Sequence, residues 1–193
     1  MARHKEFEPD EALDKAMELF QRQGFAATSM QDLVDHMGIG RGSLYHAFGS
    51  KQELFQRALT RYATRNLGDM VALIERADAP LEAIRALFRG ISQSHCENST
   101  RSGCLFVNTT VEMAPHDSGV SSDLQSSWKR LENSFARALK RAQDAGDLRA
   151  DKKPRALARF LVNSLQGLSV QAKYSQCKAT ARDVVDIILQ SLD

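Results

Sequence analysis

Apolar residues recur at steps of three and four along almost the whole chain, and nowhere do they alternate one by one. A period near 3.6 places such residues on one face of a helix, whereas a half-buried strand needs a period of about two. Leu13, Met17 and Phe20 open the pattern, and Leu54, Ala58, Tyr62, Met70, Leu73 and Ala77 carry it through a long segment at 51–77. Ile84, Leu87, Phe88 and Ile91 continue it, followed by Leu124, Trp128, Leu131, Phe135 and Leu139. Leu157, Leu161, Leu165 and Leu168 come next, and Val184, Ile187 and Ile188 close it. Stripes of this kind are buried by laying helix on helix. The expected fold class is all-α, with about nine helices.

The punctuation agrees. Pro9, Pro80, Pro115 and Pro154 fall at helix edges, where a missing N–H does no harm. Gly24 and Gly146 supply stops, Ser29 with Asp32 and Ser50 with Glu53 have the spacing of capping boxes, and Thr180 with Asp183 caps a last helix. A short helix is expected from about Cys104 to Met113, ending before Pro115. No apolar run reaches the roughly 20 residues that span a bilayer, and the start MARHKEFEPDEALDK has no signal-peptide core, so the expected location is the cytoplasm. Cys96, Cys104 and Cys177 form no C-x-x-C pair and have no zinc-type partners, so neither metal nor cofactor is expected.

The net charge of +2 does not argue for a nucleic-acid partner, and residues 1–66 hold nine basic against nine acidic side chains. Any such case rests on where the charges sit. The informative stretch is GIGRGSLYHAFGSKQEL, residues 38–54. Its glycines, Gly38, Gly40 and Gly42, fit neither a dinucleotide loop nor a Walker loop, and a helix rather than a strand precedes them. They fit a turn between a helix ending at Met37 and a short helix from about Arg41 to Phe48, which is a helix-turn-helix. Ile39, Leu44 and Phe48 would face inward, leaving Arg41, Gly42, Ser43, Tyr45 and His46 outward. Gly42 would allow close approach to a base edge, Arg41 could bond guanine or phosphate, and Tyr45 and His46 suit phosphate contacts. Lys51, in the first turn of the next helix, would face a phosphate.

Residues 11–58 resemble the DNA-binding domain of the tetracycline-repressor (TetR) family. The matching elements are Gly24-Phe25, Thr28-Ser29, Ile39, Gly42-Ser43-Leu44-Tyr45, Phe48 and Ser50-Lys51-Gln52-Glu53-Leu54. Gly40 departs from the pattern, where the family often has a Ser or Thr cap. The resemblance implies a transcriptional regulator, usually a repressor, that contacts a pseudo-palindromic double-stranded DNA operator through Thr28, Ser29, Arg41, Gly42, Ser43, Tyr45, His46 and Lys51. It implies a DNA-binding domain at 1–50, an effector-sensing and dimerisation domain at 51–193 with 51–77 as connecting helix, and a homodimer formed through about 154–192. Gly167, Ser169 and Ala172 would let helices approach there, and Ile187, Ile188 and Leu192 would add apolar contact. The basic tail Arg3-His4-Lys5 is either a minor-groove arm or a free end.

A second stretch, RSGCLFVNTTVEMA at 101–114, resembles a TetR branch that senses electrophiles and oxidants through a cysteine. A thiol in a helix's first turn feels the positive end of the dipole, and Arg101 would act in the same sense. The other reading of Cys104 is a small buried hydrophobe, with a non-covalent apolar or organic-acid ligand as effector. Cys96 is a candidate resolving thiol and Cys177 an incidental one. Phe88, Phe106, Met113, Trp128, Phe135 and Phe160 could line a pocket or simply form core; Asn108 and Glu112 share a face one turn apart, and His95 and His116 could polarise a ligand. The effector-sensing set is Cys104, Phe106, Asn108 and Trp128. An enzyme with Cys104 as nucleophile would need a base, and no His or Asp stands in a recognisable catalytic signature. A helical scaffold without DNA binding would leave the Arg41–Lys51 set unused.

Overall fold

The structure, a computed structural model, describes residues 7–97, 102–175 and 178–193. Helix α1 (Pro9–Gln23) starts on its proline and stops at Gly24, which takes φ 87°. Helix α2 (Met30–Met37) begins on a complete Ser29–Asp32 capping box and ends at Gly38 in the left-handed conformation, φ 69°. Helix α3 (Arg41–Phe48) follows, and a second complete box, Ser50–Glu53, opens α4 (Lys51–Tyr62). A π-helical turn, Ala63–Leu67, joins α4 to α5 (Gly68–Arg76). The connecting helix expected at 51–77 is therefore a single rod interrupted by one wide turn.

Beyond it lie α6 (Pro80–Glu97), α7 (Leu105–Glu112), α8 (Ser118–Asp144), α9 (Pro154–Tyr174) and α10 (Lys178–Gln190). Counting α4, the π turn and α5 as one rod gives nine helical segments, with no strand among the described residues. Two boundaries differ from expectation. Helix α10 starts at Lys178, so Thr180 lies inside it rather than capping it. Cys104 is the N-cap of α7, with extended backbone at φ −112°, ψ 128°, and not a member of its first turn.

The N-terminal helices close over a cluster of aromatic rings. Phe20 and Phe55 meet edge to face at 5.0 Å between centroids, and Phe25 meets Phe55 at the same distance. Leu33, Leu44, Phe48 and Leu54 fill the space between α2, α3 and α4. Each such fully buried side chain contributes about 1.5–3 kcal/mol relative to exposure. Helix α4 is tied to α1 through Asp14, whose carboxylate accepts from Arg61 Nε at 2.5 Å and Arg65 Nη1 at 2.8 Å. The rod thus starts within the N-terminal unit and ends within the C-terminal one.

The C-terminal unit packs α8 against α9 and α10 against α6 around Ile84, Phe88, Leu131, Phe135, Leu139 and Leu161. Phe160, read from the sequence as pocket lining or core, is instead 42% exposed on α9. It shares the surface of α9 and α10 with Val170, Tyr174, Val184 and Ile187, all exposed. No helix among the described residues is long and apolar enough to cross a membrane.

Candidate nucleic-acid interface and its link to the sensor helix

Helix α3 has only eight residues, so its two faces divide cleanly. Leu44 and Phe48, one turn apart, are buried with Ile39 just ahead of them. Arg41, Gly42, Tyr45 and His46 are exposed and Ser43 is half-buried, as their positions around the helix require. A methyl group added at Gly42 would meet nothing within 4 Å. Gly40 caps the helix through its backbone alone, φ −63° and ψ 146°, and α3 begins at Arg41 even without a hydroxyl cap. Arg41 is steadied from α2, its Nη2 donating to Gln31 Oε1 at 3.2 Å.

Three other residues expected to touch nucleic acid are engaged within the fold. Thr28 is fully buried and its hydroxyl donates to the Gly24 carbonyl at 2.6 Å. Ser29 Oγ accepts from the Asp32 amide at 3.0 Å. Lys51 Nζ donates to the carbonyls of Phe25 at 2.8 Å and Thr28 at 2.7 Å, and sits 4.3 Å from the centre of the Phe25 ring. These side chains shape the α1–α2 loop that sets the angle of α2 and so of α3. The acidic groups nearby are held ionised. Bonds from Ser29 lower the Asp32 pKa, bonds from Ser50 lower that of Glu53, and the Arg61 guanidinium lowers that of Asp14.

The sensing set divides in two. The Tyr62 hydroxyl, at the last residue of α4, reaches Cys104 Sγ at 3.3 Å. Burial pushes the Tyr62 phenol well above its ordinary range, so it stays protonated and acts as the donor. The Tyr62 ring stands edge-on to Phe106 at 5.5 Å, and Phe106 meets Trp128 at 5.9 Å. Cys104, Phe106 and Trp128 therefore belong to one cluster, which also includes Tyr62. Trp128 Nε1 is buried and has no hydrogen-bond partner among the described residues.

Asn108 faces elsewhere. Its Nδ2 donates to the Gln21 carbonyl at 2.8 Å and the Ser102 carbonyl at 3.2 Å. Glu112, one turn on, accepts from the amides of Phe25 at 2.9 Å and Ala26 at 2.6 Å. The face shared by Asn108 and Glu112 is the contact between α7 and the N-terminal unit, and not a pocket wall. Sequence reasoning missed Tyr62 and Gln21, whose only signal was a place in an apolar period or at a helix end. Arg101, Cys177 and the Arg3-His4-Lys5 tail lie outside the described residues, as do the side chains of His95 and Cys96. His116 is exposed beyond the end of α7.

Residues 12–58 match the family described as bacterial regulatory proteins, tetR family, and residues 80–188 match the tetracyclin repressor-like C-terminal domain. The chain is 36% identical to the uncharacterised HTH-type transcriptional regulator YezE of Bacillus subtilis over the full length of both. It is 31% identical to the HTH-type transcriptional repressor ComR of Escherichia coli, over 89% of this chain and 82% of that one. Among solved structures it is similar to a cysteine-substituted variant of the TetR family regulator CifR, complexed with 26-base-pair double-strand operator DNA. That similarity has a TM-score of 0.86 and 30% identity, and it covers 100% of both chains. With matches across both of its units, the chain belongs to the tetR family of bacterial regulatory proteins.

Proposed function

We propose that the protein is a DNA-binding transcriptional repressor, acting in the cytoplasm as a two-fold homodimer and released from its operator by a small-molecule effector that meets it at Cys104. The observation that carries the DNA-binding part is the outward face of α3, where Arg41, Gly42, Tyr45 and His46 are exposed while Leu44 and Phe48 anchor the helix from behind. That is the arrangement by which a recognition helix enters a major groove. ComR is named a repressor, and the CifR variant is seen on operator DNA. The exposed apolar residues of α9 and α10 supply the face for a partner copy, and two copies would read two half-sites of a pseudo-palindrome.

Cys104 supports release by an electrophile through its placement. It is partly accessible, and it caps the helix that also holds the DNA-reading unit. Addition of its sulfur to an activated alkene forms one S–C bond and leaves the thiol proton on the neighbouring carbon, with no oxidant required. The added bulk would displace Tyr62 at the end of α4. A second reading, release by a non-covalent organic acid, is favoured by the unpartnered Trp128 Nε1, a buried donor awaiting an acceptor.

The test is fluorescence anisotropy on DNA from upstream of the protein's own gene, before and after N-ethylmaleimide, with Cys104→Ser alongside. Binding that is lost on alkylation in the wild type and kept in the Ser variant is the expected result. Binding that survives alkylation in both removes the covalent route. Absence of specific, salt-sensitive binding would overturn the repressor reading itself.

A further inference from the structure

Polar ties join α7 to the N-terminal unit at points along its whole length. They join residues 82 to 87 positions apart in sequence. At the N-terminal end of α7, Gln21 Nε2 donates to the Gly103 carbonyl at 2.6 Å, next to Cys104. In the middle, Asn108 Nδ2 holds the Gln21 carbonyl. At the C-terminal end, the Glu112 carboxylate takes two consecutive amides, those of Phe25 and Ala26, one on each oxygen. A carboxylate bound by two N–H groups is a strong, directional contact, because both bonds are charge-assisted.

The loop it grips is built for the purpose. Gly24 has φ 87°, and a methyl group there would come within 2.8 Å of Glu112 Oε2. A side chain at 24 would thus be strained by the backbone and would press on the carboxylate. From the opposite side Lys51 holds the carbonyls of Phe25 and Thr28. Phe25 is consequently held by its N–H from α7 and by its C=O from α4. The next residue after Thr28 is Ser29, the cap of α2, so the held loop leads directly into the helix-turn-helix.

We infer that Glu112 is a positioning residue that clasps the α1–α2 loop, and that α7 acts as a strut through which a displacement near Cys104 reaches the DNA-reading helices. Its consequence for DNA rests on the repressor reading above; the clasp itself does not. Cutting the strut at Glu112 leaves the α3 face and the sensor cluster chemically intact and removes one link between them, while α4 and the Gln21 and Asn108 bonds remain. An effector then changes operator affinity less, since coupling requires an element that both sites bias.

The experiment is hydrogen–deuterium exchange on the full chain, comparing wild type with Glu112→Ala, Glu112→Gln and Asn108→Ala. The expected result in Glu112→Ala is exchange at least about tenfold faster in peptides from 20–50, with α8 and α9 unchanged, as befits loss of two charge-assisted bonds. Glu112→Gln, with one amide oxygen left to accept, is expected to fall between, and Asn108→Ala to act in the same direction. Wild-type exchange in the head of Glu112→Ala would overturn the clasp. Equal loss of protection in every helix would also overturn it, because the contact would then be one of general stability. A second arm measures the ratio of operator affinities before and after complete N-ethylmaleimide labelling. That ratio is expected to fall toward one in Glu112→Ala, and a wild-type ratio there would overturn the strut. Should the wild type bind no operator or ignore the reagent, the proposed function fails while the exchange arm still decides the clasp.

Discussion

At position 42 the absence of a methyl group has two opposite consequences. Glycine in an exposed helix costs roughly 0.5–1 kcal/mol relative to alanine, because the unfolded chain has more freedom to lose. Nothing within 4 Å would obstruct an added Cβ, so the free protein draws no packing benefit from the glycine. Gly42→Ala is therefore expected to raise the stability of the free protein by about 0.5–1 kcal/mol, read by urea unfolding. The same variant is expected to weaken operator binding, read by anisotropy, because the methyl group stands on the face that approaches the base edges. A stability gain without loss of binding would show that α3 does not approach DNA closely there. Lys51 reverses the logic. Its sequence position in a helix's first turn suggests a phosphate contact; in the fold the α1–α2 loop passes beside its ammonium and takes two of its three N–H bonds. Lys51→Met, which keeps the stem, is expected to destabilise the fold by about 1–3 kcal/mol, visible as a lower urea midpoint. No local pattern could have revealed this, since it depends on a loop more than twenty residues away coming alongside.

Among the elements, helix ends were the most legible feature, because caps are local chemistry. Both capping boxes form, and Gly38 takes the left-handed turn expected of it. A Cβ added at Gly38 would meet nothing within 4 Å, so Gly38→Ala tests conformation alone and is expected to cost about 1–2 kcal/mol in thermal or urea unfolding. A loss well below that range would mean the α2–α3 turn relaxes at little cost. The two capping-box carboxylates and the ion-paired Asp14 also set a pH dependence. Asp14, Asp32 and Glu53 all titrate below their ordinary values in the fold, so folding binds their carboxylates in the charged form. Their contribution is full above the unfolded carboxylate range, near pH 4, and is lost as pH falls through the folded values. Glu132 on α8, beside Lys129, Arg155 and Arg159, and Asp151 ahead of α9 are lowered in the same way, so both units are expected to lose exchange protection in that acid window, and protection unchanged down to about pH 3 would contradict it. What the periodicity could not show was the π turn at Ala63–Leu67, because one wide turn barely disturbs an apolar stripe. Nor could it show that Asn108 and Glu112 meet the end of α1 and the α1–α2 loop, since those partners lie more than eighty residues earlier.

The whole molecule is shaped by what its last two helices leave uncovered. Their inner faces are complete, with Leu161, Leu165, Val185 and Ile188 all buried, as is Leu192 just past the end of α10. Their outer faces still carry Val170, Tyr174, Val184 and Ile187, exposed apolar side chains of the kind that a partner surface covers. The sequence period alone could not separate the two faces, because both are apolar and only packing against α6 and α8 decides which is inside. Ile187 is 61% exposed, so Ile187→Glu adds no buried charge to a single copy and should leave its helical circular dichroism unchanged. Within a dimer the same carboxylate would be stripped of water on an apolar face, which is strongly unfavourable without a partner charge. Sedimentation equilibrium is therefore expected to show a dimer for the wild type and a monomer for Ile187→Glu at the same concentration. Operator binding should fall far more than the loss of any single side-chain contact would explain, because each reading head would then bind its half-site without the high effective concentration that a joined partner supplies. A variant that remained dimeric would move the interface elsewhere on the molecule, and a monomer that bound the operator undiminished would remove the two-fold logic of the site.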